Sequence, residues 1–379
     1  MIRFSIIITY YTGLNILKTN LQLLNSTIEC ETEIILVNDN PASSLNVNQF
    51  DKMNIPMKIL NLEQNGGYSV ACNRGAEEAS GKNLIFVDCD IMPTKGWFLS
   101  MIKAMDNTER CGAVSATILS MNTGGVVHWG MGMLHGVDVV KPFWDGPFPI
   151  SLQKGIHEFP LMTSGCLLVP QEVFNQAGGF DPILYNGYND LDLIIKIREL
   201  GYRCVVSSEA IVYHRGTIAG QTRLAASVNT KAMFIYRWGN KLPDNGIELF
   251  RKLLLSHEIY PKSGSALLIN FCISLFASEY HDVIKSVFSL NNVCKYDFRD
   301  KYEICSLLED YLSWSLISLN TPILYFCDNY GRLVNNRHWF SYRIGRGDFI
   351  IDRNGNIIST DFLLNQTTGN ILIFKSLYK

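Results

Sequence analysis

Residues Phe86 to Trp97 read Phe-Val-Asp-Cys-Asp-Ile-Met-Pro-Thr-Lys-Gly-Trp and set Asp88 and Asp90 one residue apart, where the apolar run Leu84–Val87 stops. A short β-branched and aromatic run that ends in polar residues reads as a buried strand. Three such runs precede it: Ser5–Thr9 (SIIIT), Glu33–Val37 (EIILV) and Met57–Leu60 (MKIL). Helical spacing of apolar residues fills Leu14–Leu24 and Ser69–Ala79. Strand and helix alternating in this way predict a largely parallel sheet with helices on its faces. Ligands of such sheets bind beyond the carboxyl ends of the strands. Asp39 follows the second strand as Asp88 and Asp90 follow the fourth, so three carboxylates are expected along one edge.

Two carboxylates on one short loop repel each other unless a cation lies between them, and an all-oxygen arrangement suits Mg²⁺ or Mn²⁺. A phosphate-bearing substrate would bring such a cation. For Asp39, in VNDNP, an Asx turn is the alternative to a ligand contact. Further along, a strand at Gly165–Val169 leads through Pro170 into a short helix and a Gly-rich turn with Phe180. Tyr188-Asn-Asp-Leu-Asp-Leu193 then opens a helix with apolar residues at 193, 194, 197 and 200, closed by Gly201. Asp190 falls at the amino end of that helix, where the dipole and unpaired N–H groups favour an anion. Capping by Asn189 or Asp190 explains the same residues. Asp192 points about 200° around the helix from Asp190, so the two are expected to do different work. His214 ends the strand IVYH, either as a packed residue or as a ligand.

The chain's 379 residues suggest two domains, or one large domain with an appendage. The balance of 33 Lys+Arg against 35 Asp+Glu leaves no broad basic footprint for nucleic acid. Ten cysteines without a CxxC pair argue against a zinc site or a thioredoxin-like motif and for free thiols in a reducing cytosol. The opening MIRFSIIITYYTG reads as a first strand, because its apolar core is too short for a secretory signal. The longest apolar run, Ala266–Ala277, falls short of the ~20 residues a spanning helix needs. It is expected to be a buried helix, with an interfacial one as the alternative.

Taken in order, SIIITYYTG, the VND after the second strand, NGGYSVACNRG with Asn65, Gly67, Asn73 and Gly75, the DCD, TSGCLLV, GGFDP, the NDLDL helix and the strand-ending His214 resemble the family 2 glycosyltransferases. The resemblance runs from about Phe4 to Gly239. It implies a GT-A, Rossmann-like fold: an α/β arrangement with a mixed, mostly parallel sheet flanked by helices. It implies donor contacts from Thr9, Tyr11, Asp39, Asn65, Gly67, Asn73 and Asp88. It also implies a divalent metal, Mn²⁺ or Mg²⁺, held by Asp90, Asp88 and His214, and Asp190 as the general base of a single inverting displacement. On the acceptor side it points to Gly165, Asp192 and an aromatic such as Trp129 or Trp144. The implied donor is a nucleoside-diphosphate sugar, UDP- or dTDP-linked, and the acceptor a glycan, lipid-linked or protein hydroxyl.

The sequence departs from the family pattern in four places, the first being TYYT where the family more often has a Tyr-Asn pair, which leaves Tyr10 as the alternative to Tyr11. Asn189 stands where the family has an acidic residue, Cys72 where an Arg is common, and Arg237-Trp238 lack the Gln of the processive members' motif. With no run long enough to span a membrane, a soluble cytoplasmic enzyme adding one sugar per visit is expected; peripheral contact at the inner membrane face stays open. A nucleotidyltransferase would need a Gly-rich, Arg-bearing phosphate loop after the first strand, and TYYTGLN is not one. A catalytically impaired sugar-nucleotide-binding relative is the other alternative, resting on Asn189. Residues 1–240 are thus expected to form the glycosyltransferase domain. Residues 241–379 are expected to form a helical and β-hairpin appendage, with helices at Glu248–Leu255 and Tyr302–Ile317 and a hairpin at Asp348–Ile357 turning at Asn354-Gly355. Acceptor binding, membrane docking and oligomerisation are all open roles for it.

Overall fold

The computed structural model of the protein describes residues 2–28, 30–122, 124–135, 138–140, 154–216, 221–242, 245–256, 266–270, 277–289, 293–297, 322–327 and 343–361. The chain divides into two units, Met1–Asp244 and Asn245–Lys379. In the first, the order is β1 (Phe4–Tyr10), α1 (Leu14–Thr27), β2 (Thr32–Asn38), β3 (Met57–Asn61), α2 (Gly67–Glu77), β4 (Asn83–Asp88), β5 (Ile91–Pro93) and α3 (Trp97–Asp106). It continues with β6 (Cys111–Ser120), β7 (Val126–His128), β8 (Gly132–Leu134), β9 (Asp138–Val140), β10 (Ile156–Glu158), β11 (Cys166–Pro170), α4 (Gln171–Gln176), α5 (Asn189–Glu199), β12 (Arg203–His214) and α6 (Gln221–Trp238).

One sheet runs β10-β12-β6-β11-β4-β1-β2-β3, with β5 paired to β12 and β7 to β6. The four expected strands lie side by side and parallel, β1 pairing with β2 from Phe4↔Thr32 to Tyr10↔Asn38 and with β4 from Phe4↔Asn83 to Thr9↔Asp88. Their carboxyl ends therefore coincide. Strand β11 runs antiparallel to β4 and begins at Cys166↔Val87, which brings the preceding Gly165 to the same edge.

Period-2 alternation sends Ile6, Ile8, Ile34, Leu36, Ile85 and Val87 to one face. There they pack on Leu17, Leu21 and Leu24 of α1 and on Trp97, Phe98 and Met101 of α3. On the other face Phe86 meets Phe174 and Phe180, with ring centroids 5.1 Å apart in each case. Helix α2 lies so close to this face that a Cβ on Gly75 would sit 2.4 Å from Ile7 Cγ2. The second N-x-G glycine is thus a packing requirement.

The second unit comprises α7 (Gly246–Ser256), β13 (Ala266–Asn270), α8 (Ala277–Val287), β14 (Val293–Asp297), β15 (Ile323–Cys327), β16 (Phe349–Asp352) and β17 (Ile357–Ser359). Its sheet runs β14-β13-β15-β16-β17, parallel except for the final hairpin. The appendage is therefore itself built on a mostly parallel sheet, and Ala266–Asn270 is a strand where a buried helix was expected. Both readings need a continuous apolar run. What decides is pairing, because β13 has parallel strands on both sides and a central parallel strand need not alternate. The hairpin turns at Gly355 with φ +84°, held by the Asp352 carboxylate, which accepts the N–H groups of Asn354 and Asn356. The expected helix Tyr302–Ile317 lies outside the described residues. Among the described residues no helix is long and apolar enough to cross a membrane.

Candidate active site

The first cluster forms where β1 and β2 end. Asp39 is buried, and its two carboxylate oxygens accept the N–H groups of Gly66 at 2.7 Å and Gly67 at 2.9 Å. It therefore ties β2 to the head of α2, where a free Asx turn was the alternative. Burial raises its pKa, and the two N–H bonds offset that only in part. The Asn65 side-chain oxygen also accepts the Gly67 N–H, at 3.1 Å, and takes a hydrogen bond from the Tyr185 hydroxyl. Gly67 has φ +75°, and a Cβ there would lie 2.6 Å from the Tyr185 ring, so both backbone and contact exclude a side chain. Tyr185 is 37% exposed and Tyr11, just past β1, is 53% exposed. Burial raises the Tyr185 phenol pKa, with Asp39 and then Tyr11 near enough to add to it. Thr9 is half-buried one residue before the end of β1, in register with Asp88. Two phenols thus stand around a carboxylate at the sheet edge.

The DCD loop forms the second cluster. Strand β5 pairs with β12 so that His214 faces Ile91, and the Arg215 N–H reaches the Asp90 carbonyl at 3.1 Å. This places the His214 Nε2 3.1 Å from Asp90 Oδ2. Asp88 turns elsewhere: its N–H donates to the Gly165 carbonyl at 3.0 Å, and a Cβ on Gly165 would come within 3.3 Å of its Oδ2. Gly165 leaves that space open. Among the described residues no group of three or more His, Cys, Asp or Glu is arranged to hold a metal ion. Of the three residues expected to hold a metal, Asp90 and His214 stand in contact, and Asp88 lies beside Gly165. Burial, then Asp90 and Asp88, push the Cys89 thiol far up, so it stays protonated between the two aspartates.

Asp190 lies in the first turn of α5. Its Oδ1 accepts the Leu191 N–H at 2.9 Å and its Oδ2 the Ser164 N–H at 3.4 Å, which draws it toward the edge that holds Gly165 and Asp88. Asn189 is buried, and its amide donates to Ser69 Oγ at 3.3 Å while that hydroxyl donates to the Leu184 carbonyl at 2.9 Å. This chain of bonds needs a donor at 189, which an ionised acid would not provide.

Residues 5–177 match the family model described as Glycosyl transferase family 2. Over those residues the N-terminal unit is similar to that family. The O-antigen biosynthesis protein RfbC of Myxococcus xanthus is 26% identical over 217 residues, 55% of this chain and 17% of that protein. The glycosyltransferase YibD of Escherichia coli K12 is 35% identical over 95 residues, 24% of this chain and 28% of that one. The matched segments thus span less than a third of either relative. A crystal structure of GalNAc-T7 with UDP, GalNAc and Mn²⁺ has a TM-score of 0.50 at 15% identity, over 75% of this chain and 54% of that chain. That is a likeness of fold, the GT-A arrangement.

Within this unit three expected site residues are committed to structure. Both amide atoms of Asn73 bond the Phe180 backbone, at 2.8 and 3.0 Å, so Asn73 fastens α2 to the GGFDP turn instead of lining the donor site. Trp129 is buried, packed edge-on against Phe159 at 5.2 Å and His157 at 4.9 Å, and so offers no open face to a sugar. Asp192, expected on the acceptor side, is wholly buried. It accepts hydrogen bonds from Arg237 Nη1 at 2.8 Å and Trp238 Nε1 at 2.9 Å, and pairs with Lys196 at 2.8 Å. This is what Arg-Trp does here: it locks α6 to α5. Trp144 lies outside the described residues.

Tyr185 and Tyr68 join the site although no motif names them. Tyr68 is half-buried, with its hydroxyl donating to the Ser164 carbonyl at 3.3 Å. Burial first, then Cys72 and Asp88, raise its pKa. The only signal for Tyr68 in the sequence is its place inside NGGYSV; Tyr185 has none.

Proposed function

We propose that the N-terminal unit moves one sugar from a nucleoside-diphosphate sugar, UDP- or dTDP-linked, to an acceptor hydroxyl with inversion at the anomeric carbon. One observation carries the reading. Asp90 and His214, more than a hundred residues apart in sequence, stand 3.1 Å apart on the edge that also carries Asp39, Asp88 and Asp190. A carboxylate and an imidazole offer an oxygen and a nitrogen to one divalent cation, and the imidazole favours Mn²⁺ over the more oxygen-selective Mg²⁺. Such an ion, when bound, stabilises the charge of a leaving diphosphate.

The chain's own residues supply the rest. Tyr11 and Tyr185 offer ring faces to a nucleobase, Asp39 keeps lone pairs for its N–H groups, Asn65 offers its amide N–H groups, and Thr9 and Gly67 complete that side. Asp88 accepts hydroxyls of the ribose or donor sugar in the space Gly165 leaves. Asp190, held by the Leu191 and Ser164 N–H groups, takes the proton of the attacking hydroxyl. Asn189 does not argue for an impaired relative, because its amide has a buried structural partner. RfbC is named for O-antigen biosynthesis, which supports surface polysaccharide or another glycoconjugate as the acceptor. A cytoplasmic location at or near the membrane's inner face, and acceptor recognition by residues 241–379, complete the proposal.

Thermal denaturation with UDP-, dTDP- and GDP-sugars, each with and without Mn²⁺, tests it. A stabilising donor should act only with the metal, since a ligand of the native state raises stability by mass action, about 2.7 kcal/mol at a hundredfold excess over Kd. No shift with any donor would count against the reading.

A further inference from the structure

Arg237 sits near the end of α6, outside every segment expected to touch substrate. Its Nη1 is 2.7 Å from Asp181 Oδ2 and 2.8 Å from Asp192 Oδ1. One guanidinium therefore joins the two ends of the segment 181–192. The anchors at both ends are reinforced. The Trp238 indole donates to the same Asp192 oxygen, and Lys196 pairs with Asp192 while donating to the Gly179 carbonyl at 3.1 Å.

What this segment carries makes the join significant. Tyr185 hydrogen-bonds Asn65 and covers Gly67 at the donor side, and Asp190 reaches Ser164 near Asp88. Between them the backbone is left-handed twice in succession, at Gly187 (φ +104°) and Tyr188 (φ +61°). A non-glycine residue there is strained and persists only where its surroundings over-determine it. Those surroundings again include α6, since the Tyr188 ring lies against Phe234 with centroids 5.2 Å apart.

We propose that Arg237 is a positioning residue that staples the segment 181–192 at both ends, so that Tyr185 and Asp190 are presented together to one nucleotide sugar and its acceptor. The stapling is independent of the glycosyltransferase reading; the presentation to substrate rests on it. The two are therefore tested separately.

Amide hydrogen exchange tests the staple without any ligand. In Arg237→Ala the N–H groups of Leu184, Leu191 and Asp192, which bond Asp181, Asp190 and Tyr188, should exchange at least ~10-fold faster, while those of β1 and β4 keep their rates. Asp181→Asn removes one anchor and leaves buried Asp192 its cations, so it serves if Arg237→Ala does not fold. Unchanged exchange in the segment would overturn the staple.

Hydrolysis, with Mn²⁺ and no acceptor, of whichever UDP-, dTDP- or GDP-sugar the wild type turns over fastest tests the presentation. Arg237→Ala should lower kcat at least ~10-fold, as misplacement of reacting groups does. Arg237→Lys should restore part of it, keeping the charge without the planar fork. Leu21→Ala, a core change in α1, should lower the melting temperature and leave kcat in place. Equal losses of kcat in Arg237→Ala and Leu21→Ala would overturn the positioning role. If the wild type neither hydrolyses these donors nor binds UDP, the glycosyltransferase reading fails with the presentation, and the exchange rates still decide the staple.

Discussion

Aspartates flank the strands of both sheets, and their carboxylates meet opposite fates. In the second unit Asp348 is buried and bound by Arg343 through Nε at 2.6 Å and Nη2 at 2.9 Å, by the Ile323 N–H at 2.9 Å and by the Tyr325 hydroxyl at 3.2 Å. Burial alone would lower the Arg343 pKa, and Asp348 more than reverses this. In the first unit Asp90 faces a histidine, itself a metal ligand by chemistry, and Asp190 receives the Ser164 N–H at a long 3.4 Å. A strand-flanking carboxylate closes a structure when local donors saturate it. It can serve chemistry when its partner could bind the same ligand, as His214 beside Asp90 could.

The sharpest way to break this contrast is to remove charge on each side. Asp90→Asn and His214→Ala should each lower nucleotide-sugar turnover by ~10²–10³-fold, on the scale of lost electrostatic stabilisation of a leaving group, while Asp348→Asn leaves it unchanged. Full turnover in EDTA, measured in the same steady-state assay, would erase the distinction. Next in size, Asp190→Asn should cost at least ~10²-fold in kcat with UDP affinity by calorimetry unaltered, as loss of a general base does.

The neighbouring Asp192 should act on stability, as Asp348 does. Asp348→Ala should cost ~3–5 kcal/mol in urea unfolding of its unit, because buried Arg343 is left uncompensated, and Asp192→Ala should cost less, because Arg237 keeps Asp181 and both its cations reach solvent. A smaller effect follows from Asp181. Burial acts to raise its pKa, but the Ile183 N–H and Arg237 outweigh it and the net shift is downward. A depressed carboxylate contributes stability above its unfolded pKa of about 3.9 and loses it as pH falls through the folded value. The stability difference between wild type and Asp181→Asn should therefore be flat above about pH 5 and shrink below about pH 4. The smallest expected effect is none: with its thiol pushed far up, Cys89 should resist iodoacetamide at pH 7 despite its place between two site aspartates. Rapid loss of turnover that tracks Cys89 labelling would contradict that.

Legibility in the sequence followed the range of the interactions involved. Strands β1 to β4 were readable because a period-2 or continuous apolar run is a local property. The placement of Asp39, Asp88 and Asp90 at one edge followed from parallel strands alone. Asn73, Trp129 and Asp192 were misread because their partners lie far along the chain: Phe180 for the first, Phe159 and His157 for the second, Arg237 and Trp238 for the third. Tyr185 was missed for the same reason, since its role exists only through Asn65 and Gly67. In the second unit, Ala266–Asn270 has a composition that serves a buried helix or a buried strand equally.

The sequence by itself thus determined the alternation of elements, the family, the edge where chemistry gathers and the residue types available there, all carried by periodicity and ordered motifs within short windows. Only the tertiary structure decided that Asp192 and Asp348 are saturated by buried donors, that His214 meets Asp90 while Asp88 lies beside Gly165, and that Arg237 closes the segment bearing Tyr185 and Asp190. The physical reason is that a carboxylate's behaviour is set by the donors, cations and burial within a few ångströms of it, and long-range strand pairing and helix packing bring those neighbours together.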